Sequence, residues 1–360
     1  MSMEVCMNEI KKEHSNQLYI QLVPEQDETV SAFCRRLVNI LETEDYQVVK
    51  ATCFGALANR ERFESELEQA IDKQFPLTWV EGENCSNSFL NGIQLWAVKA
   101  EVIYGETNFK AKTSRFSDDS GHYLFIGDLL SEPQGNADLE YEMVLERLDQ
   151  LLQEAGFVYT DVVRTWYYLD DILRWYDSFN RIRTAFFKQK GVFESFIPAS
   201  TGVSGRNKSG SSVTMELLAF KPAKETAAIA QVKSPMQNEA GEYGSSFSRA
   251  IRVNSAGSQW MSISGTASIL PSGETANIGN VKRQIQHSFE VVGQIVANEG
   301  YNFSNLVRAT AYLKDKSSLS ILHEFLTDNP QYQMPLVVTE NSICRDDLLF
   351  EIEMDLVKSS

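Results

Sequence analysis

The sequence predicts an α+β protein of three similar units, with the sheets inside and the helices outside. One order of elements recurs three times along the chain: an amphipathic helix, a strand with a basic residue, a second helix, a proline and a closing strand. A chain of 360 residues also suits two or three modules better than one small core. We place the units at residues 1–110, 111–222 and 223–360, with the first as the least regular copy.

The first helix of each unit is indicated by apolar residues three and four positions apart, which form one buried stripe. The stripes are Val30, Cys34, Leu37 and Leu41, then Leu145, Leu148 and Leu152, then Val281, Ile285, Phe289, Val292 and Val296. Each stripe precedes a segment of β-branched and aromatic residues, which is typical of a strand. These strands each carry one basic residue, Lys50, Arg164 or Arg308, and we expect the three to share a structural role.

A second helix and a closing strand complete each unit. We predict the helices at 60–71, 173–188 and 318–327. Each is followed by a proline (Pro76, Pro198 or Pro335), which ends a helix and lets the chain return as a strand. We predict the closing strands at 93–97, 213–218 and 348–356, and linkers at 107–120 and 221–246.

Composition and charge exclude several classes of protein. The net charge of −16 disfavours nucleic acid and anionic lipid as partners, and an anionic ligand would need arginines close by. Four histidines and five scattered cysteines show neither metal-ligand spacing nor a disulfide framework, so we expect no metal, no cofactor and a cytoplasmic protein with reduced thiols. The sequence contains no apolar run of 18 residues, so we predict no membrane span. Residues 1–15 lack the apolar stretch of a signal peptide. We expect a monomer or a small homo-oligomer.

The segment before the C-terminal tail carries the strongest chemical signal. Apolar and acidic residues alternate over 349–353, which predicts a strand with Glu351 and Glu353 on one face and Phe350 and Ile352 on the other. One interpretation is an acidic face exposed to water. In the other, Glu351 points inward, and burial raises its pKa until it holds a proton near neutral pH. We expect Glu353 to lie nearer the rim and to be solvated.

Two further segments carry candidate binding residues. Tyr176, Asn180 and Arg183 fall at i, i+4 and i+7 of a predicted helix, so their stripe is either its wet side or a binding surface. Arg249 and Tyr243 lie in the connector before the third unit, which is either an exposed linker or a docked segment.

The repeated order of elements resembles the Rid (YjgF-like, chorismate-mutase-like) superfamily. The third unit shows the resemblance most clearly, in the segments 263–267, 299–300, 306–310 and 350–353. Ordinary members are single modules that form trimers around a central barrel, with sites between neighbours. The resemblance therefore implies that this chain is a covalent pseudo-trimer.

A narrower resemblance links residues 123–356 to the chorismatases, the chorismate-hydrolysing relatives of the Rid proteins. It rests on five ordered motifs, at 164–172, 176–183, 198–202, 243–250 and 344–351. Residues 1–110 contribute almost nothing to it. The resemblance implies cleavage of chorismate, a dianionic small molecule, into pyruvate and a hydroxybenzoate.

The chorismatase resemblance also implies roles for individual residues. Glu351 would act as the acid that protonates the enolpyruvyl methylene carbon. Two carboxylates on the substrate call for two guanidiniums, because Arg grips a carboxylate through paired donors. Arg183, supported by Tyr176, is the first candidate, and Arg249, with Tyr243, is the second.

Two neighbouring residues, Cys344 and Arg345, leave alternatives open. Arg345 would either bind a substrate carboxylate or orient Glu351. Cys344 is either a small buried thiol or a catalytic residue. Chorismatases with cysteine at this position resemble the branch that yields 3-hydroxybenzoate, whereas a smaller residue is typical of the branch that yields a dihydroxycyclohexadiene carboxylate. We favour the aromatic product, and the sequence leaves the isomer and the pathway open.

Two rival functions remain to be weighed. Imine deaminases of the superfamily hold a carboxylate with an arginine two residues after the proline that precedes the closing strand. Thr78, Ser200 and Val337 stand there in the three units, which disfavours deaminase chemistry. A non-enzymatic ligand-binding protein would also suit three repeats with an irregular first copy.

Overall fold

Three mixed sheets, each with two long helices, make up the described part of this computed structural model. The described residues are 5–11, 15–71, 74–83, 85, 88–106, 111–223, 227–255 and 257–359. The first unit contains β1 (Val5–Ile10), β2 (Gln17–Leu22), α1 (Val30–Glu44), β3 (Gln47–Gly55), α2 (Leu57–Ala70), β4 (Leu77–Glu81) and β5 (Gly92–Val98). Its strand order is β1-β2-β5-β3-β4.

The second and third sheets repeat this topology with one additional edge strand each. The second unit contains β6 (Ile103–Glu106), β7 (Lys112–Asp118), β8 (Gly121–Leu129), α3 (Ala137–Glu154), β9 (Val162–Leu169), α4 (Ile172–Gln189), β10 (Ala199–Ser204) and β11 (Val213–Pro222). The third contains β12 (Ala228–Val232), β13 (Ala250–Ser255), β14 (Ser258–Ala267), α5 (Val281–Asn298), β15 (Leu306–Leu313), α6 (Leu319–Asp328), β16 (Val337–Glu340) and β17 (Phe350–Ser359). Their orders are β6-β7-β8-β11-β9-β10 and β12-β13-β14-β17-β15-β16.

The shared strand order confirms the prediction of three tandem units. In each unit the strand after the proline pairs parallel to the strand after the first helix, and the closing strand runs antiparallel to the latter. Three predicted details differ. Both predicted linkers contain a strand: β7, which lies between β6 and β8, and β12, which forms the edge of the third sheet. β6, inside the range 1–110, is hydrogen-bonded in the second sheet.

The layer order, with sheets inside and helices outside, also follows the prediction. One face of each sheet packs on its own two helices and forms a separate apolar core. The other faces meet in a shared core to which all three units contribute, including Trp96, Phe220 and Val357. No helix in the described part of the chain is long and apolar enough to cross a membrane.

A ring of polar contacts joins the three units at this centre. Lys50 of β3 forms an ion pair with Glu216 of β11. Arg164 of β9 pairs with Glu353 of β17 at 2.6 Å. Arg308 of β15 donates to Oε1 of Gln94 on β5 at 3.2 Å, which closes the ring. Each cation thus contacts the closing strand of the next unit.

The ring explains the expected shared role of the three basic residues. All three cations lie against the single indole ring of Trp166, at 3.5 Å for Lys50, 4.5 Å for Arg164 and 5.2 Å for Arg308. Removing one partner of a buried ion pair strands the other charge and costs about 3–5 kcal/mol. The ring therefore fixes the register in which the three sheets meet.

Candidate functional site

A cleft between the second and third units brings together most of the predicted site residues. Its walls come from α4 and β10 of the second unit, β14 and β17 of the third, and the connector before β13. Six predicted residues line it: Tyr176, Arg183, Arg249, Cys344, Arg345 and Glu351. The side chain of the seventh, Tyr243, lies outside the described residues, and the connector contributes Ser245 and Phe247 to the cleft.

The carboxyl of Glu351 lies in this cleft and is only 5% exposed. On β17, Glu351 is paired with Ala267 of β14 on one side and Tyr312 of β15 on the other. Burial and the nearby charge of Glu353 raise the pKa of Glu351 to about 8, against the opposing effect of Arg164. A carboxyl with that pKa is mostly protonated at neutral pH, so it can act as a general acid.

A glycine makes room for this carboxyl. A Cβ at Gly265, on β14, would overlap Oε1 of Glu351. The backbone N–H of Gly265 also donates to Oγ1 of Thr201 at 2.9 Å, which joins the two units beside the acid. Sequence reasoning gave neither residue a role, although both lie in the segments that carry the resemblance. The signal available was a glycine inside a strand, which often marks a close approach.

Glu353 contradicts its prediction as a solvated rim residue, because it is fully buried. It accepts hydrogen bonds from Arg164 at 2.6 Å, Arg308 at 2.7 Å, Thr201 at 2.5 Å and Trp166 at 3.0 Å. Burial by itself would raise the pKa of Glu353, but the two guanidiniums and the Thr201 hydroxyl lower it to about 2. The signal available was an arginine at the matching position of β9 and β15, Arg164 and Arg308, because a buried guanidinium is usually paired with a carboxylate.

Arg183 is the most unusual cation of the site. It is 2% exposed, and its guanidinium has no carboxylate within 4 Å among the described residues. Its Nη2 donates to Oδ1 of Asn180 at 2.6 Å, and the group lies 4.9 Å from the ring of Phe179. A buried charge that lacks an opposite charge is unfavourable unless an anion compensates it. The polar stripe of α4 is therefore not the wet side of the helix.

Arg249 anchors the connector in place. It is 2% exposed, so it is not an exposed linker residue, and its Nε donates to the carbonyl of Asn238 at 3.0 Å. Gln237 donates to the carbonyls of Ala267 and Ile269 at 3.0 Å each. The segment 237–249, which we call the cover, is thus fastened to the rim of the third unit.

The cover is also attached to the second unit, through the hydroxyls of Ser246 and Thr184 at 2.7 Å. Beneath it the cleft encloses about 40 Å³. That volume holds one or two water molecules. An organic ligand therefore needs a wider cleft than this one.

Cys344 and Tyr176 form one wall. Burial raises the pKa of the Cys344 thiol to about 12, with the charge of Glu351 adding to the shift, so the thiol is neutral at physiological pH. The hydroxyl of Tyr176 contacts this thiol and the hydroxyl of Ser245. Arg345 donates from Nη1 to the carbonyl of Gly273 at 2.6 Å.

Comparison with known proteins agrees with this architecture. Residues 240–357 match the family described as Endoribonuclease L-PSP. A 3-hydroxybenzoate synthase from Streptomyces hygroscopicus is 24% identical over 287 residues, which covers 72% of this chain and 80% of that protein. A chorismatase crystal structure shares the fold with a TM-score of 0.66 at 18% identity, covering 86% of this chain and 92% of the other.

The family match covers the third unit, and the other two units repeat its sheet topology, so the fold is the tandem Rid/YjgF-like fold that the sequence predicts. The 3-hydroxybenzoate synthase and the chorismatase are relatives of the kind that the sequence resemblance implied.

Proposed function

We propose that the protein is an enzyme that cleaves chorismate into pyruvate and a hydroxybenzoate, with 3-hydroxybenzoate as the expected isomer. One observation carries the proposal: the cleft pairs the protonated carboxyl of Glu351 with the uncompensated guanidinium of Arg183. A dianionic substrate with an acid-sensitive enol ether would use both groups, since a carboxylate would bind Arg183 and the enol ether would accept the proton of Glu351. The relative named 3-hydroxybenzoate synthase supports the same reaction.

A bound substrate would first compensate the positive charge of Arg183. One carboxylate takes the paired donors of its guanidinium, with the Tyr176 hydroxyl beside it. Entry displaces the cover, and Arg249 exchanges the Asn238 carbonyl for the second carboxylate. Arg345, held by the Gly273 carbonyl, keeps the adjoining loop in place and so positions the wall next to Glu351. These contacts hold the enol ether against the acid.

Glu351 then transfers its proton to the enolpyruvyl methylene carbon. The former double-bond electrons form the new C–H bond, and the positive charge develops on the carbon attached to the ether oxygen. If pyruvate leaves with that oxygen, the neighbouring ring hydroxyl must bond to the ring carbon that pyruvate leaves before the ring loses a proton. The product is then 3-hydroxybenzoate, and no net water is consumed. If water adds to the cationic carbon, pyruvate and a dihydroxycyclohexadiene carboxylate form with one water consumed. The released proton restores Glu351.

Cys344 would decide between these outcomes as a neutral thiol. Its burial places an apolar sulfur where a smaller residue would leave room for water. Exclusion of that water favours the aromatic product. Replacement by alanine is therefore expected to increase the share of the dihydroxycyclohexadiene product.

The direct test is incubation with chorismate followed by chromatography of the products and an enzymatic assay of pyruvate. We expect pyruvate and 3-hydroxybenzoate in equal amounts, and at least a hundredfold lower turnover for Glu351→Gln. Glu340→Gln, which changes a glutamate of the edge strand β16 that does not line the cleft, is the matched control. Chorismate binding without pyruvate release would instead favour the ligand-binding function, and hydrolysis of an amino-acid-derived imine would favour the deaminase.

A further inference from the structure

A second cavity lies on the helix-facing side of the second sheet, beyond the end of α3. It has a volume of about 460 Å³ and shares no lining residue with the cleft. Cavities of roughly 300–1,000 Å³ are the usual size of small-molecule sites. This cavity is therefore large enough for a small organic ligand without any rearrangement.

Strand register places a row of basic groups in this cavity. Ile103 is paired with Arg115, Ser117 with His122, and His122 with Lys221. Residues paired across antiparallel strands, and residues two apart along one strand, point to the same face. Four adjacent strands thus present an arginine, a histidine and a lysine on one surface.

The contacts of these groups leave the cavity basic. Among the described residues, Arg115 has no carboxylate within 4 Å. Lys221 donates to the carbonyl of Gly156 at 3.2 Å, and Nδ1 of His122 lies 2.7 Å from the Ser117 hydroxyl. Glu101 is the one carboxylate among the lining residues. In a protein with a net charge of −16, such a local excess of cations concentrates anions.

Apolar groups complete the cavity and define the rest of the ligand. Ile103, which is 51% exposed, presents an apolar side chain on one wall of the cavity. Phe157, which packs in the core of the second unit, lines the wall opposite this edge strand. A ligand with a flat apolar body and one anionic group would cover both.

We propose that this cavity binds a small aromatic carboxylate, with the carboxylate on Arg115 and Lys221 and the ring against Ile103 and Phe157. Arg115 offers the paired donors that suit a carboxylate, and Lys221 adds a point charge. The site stands on its own geometry and does not require the cleft to be catalytic.

Titration calorimetry with 3-hydroxybenzoate on the full chain tests the site. The variant Arg183→Ala serves as the background, because it weakens any binding in the cleft. We expect the Arg183→Ala variant to bind 3-hydroxybenzoate at one site. Adding Arg115→Ala or Lys221→Ala to that variant should lower the affinity of this site at least tenfold. Lys282→Ala, which removes an exposed lysine of α5, should change nothing.

Three results would overturn the proposal. One is the absence of binding in the Arg183→Ala background, which would assign all binding to the cleft. Another is an affinity for 3-hydroxybenzoate that stays unchanged in both cavity variants, Arg115→Ala and Lys221→Ala. The third is equal affinity for inorganic phosphate, since the apolar wall would then contribute nothing. Circular dichroism of each variant confirms that it is folded, and none of these measurements depends on turnover of chorismate.

Discussion

The sharpest prediction concerns Glu353, which keeps Glu351 protonated by its own negative charge. The two residues are two apart on one strand face, so their side chains start about 7 Å from each other. At an effective dielectric constant of about 20, two charges at that distance interact by about 2.4 kcal/mol, or about 1.7 pKa units. The variant Glu353→Gln removes this repulsion and leaves the opposing charge of Arg164. The pKa of Glu351 should therefore fall from about 8 to about 6.

The assay is kcat/KM for pyruvate release from chorismate as a function of pH. An acid must be protonated to act, so activity is lost as pH rises through its pKa. In Glu353→Gln the alkaline limb should shift to lower pH by about 1–2 units. Activity at pH 5 should change little from this effect, whereas at pH 7 it should fall by about fivefold or more.

The pseudo-symmetry of the chain supplies a matched control. Glu216 lies on β11 at the position that corresponds to Glu353 on β17, and it pairs with Lys50 instead of with arginines. Glu216→Gln should lower thermal stability by a comparable amount without moving the alkaline limb. If Glu353→Gln is folded and the alkaline limb of its pH profile does not move, the electrostatic reasoning is refuted. Equal shifts of the limb in Glu353→Gln and Glu216→Gln would refute it as well.

Four further outcomes follow from the site and the ring. Arg183→Met should raise KM for chorismate by at least tenfold while leaving the melting temperature unchanged or higher, since it removes an uncompensated buried charge; a lower melting temperature with unchanged KM would make Arg183 structural. Gly265→Ala should displace the Glu351 carboxyl and reduce kcat far more than Gly202→Ala, where a Cβ meets no atom within 4 Å. Lys50→Met should destabilise the fold by about 3–5 kcal/mol in urea unfolding, because Glu216 stays buried and charged. Because the pKa of Glu351 is higher in the folded state than in the unfolded state, its contribution to stability should be lost as pH rises from about 4.5 to about 8, and Glu351→Gln should make this slope shallower in thermal melts.

Much of the fold could be predicted because its signals are local. The helical stripes and the prolines are set by neighbours along the chain, and α4 (Ile172–Gln189) was located within one residue at each end. The strand β7 could not be predicted in the same way. Its Lys and Ser residues satisfy a strand only because β6 and β8 pair with it on both sides.

The site residues also differ in whether local sequence predicts them. Glu351 was found from alternation and motif, which are readable within one strand. The burial of Glu353 depends on Arg164, which lies in another unit of the chain and approaches only after the three sheets meet. Likewise, the small volume of the cleft results from Gln237 and Arg249 fastening the cover, and no local pattern marks those contacts.

Joining three units in one chain also explains why a single cleft can carry the chemistry. Strand pairing aligns Glu351 of β17 with Thr214 of β11 and Gly92 of β5, so the acid stands in one unit only. The interface between the first and second units instead contains an ion pair of Arg60 with Asp128 at 2.6 Å. A homotrimer would repeat any substitution three times, and a stabilising ion pair would then close every site. In a covalent pseudo-trimer the other interfaces can be optimised for stability while one keeps a buried, uncompensated arginine for its ligand.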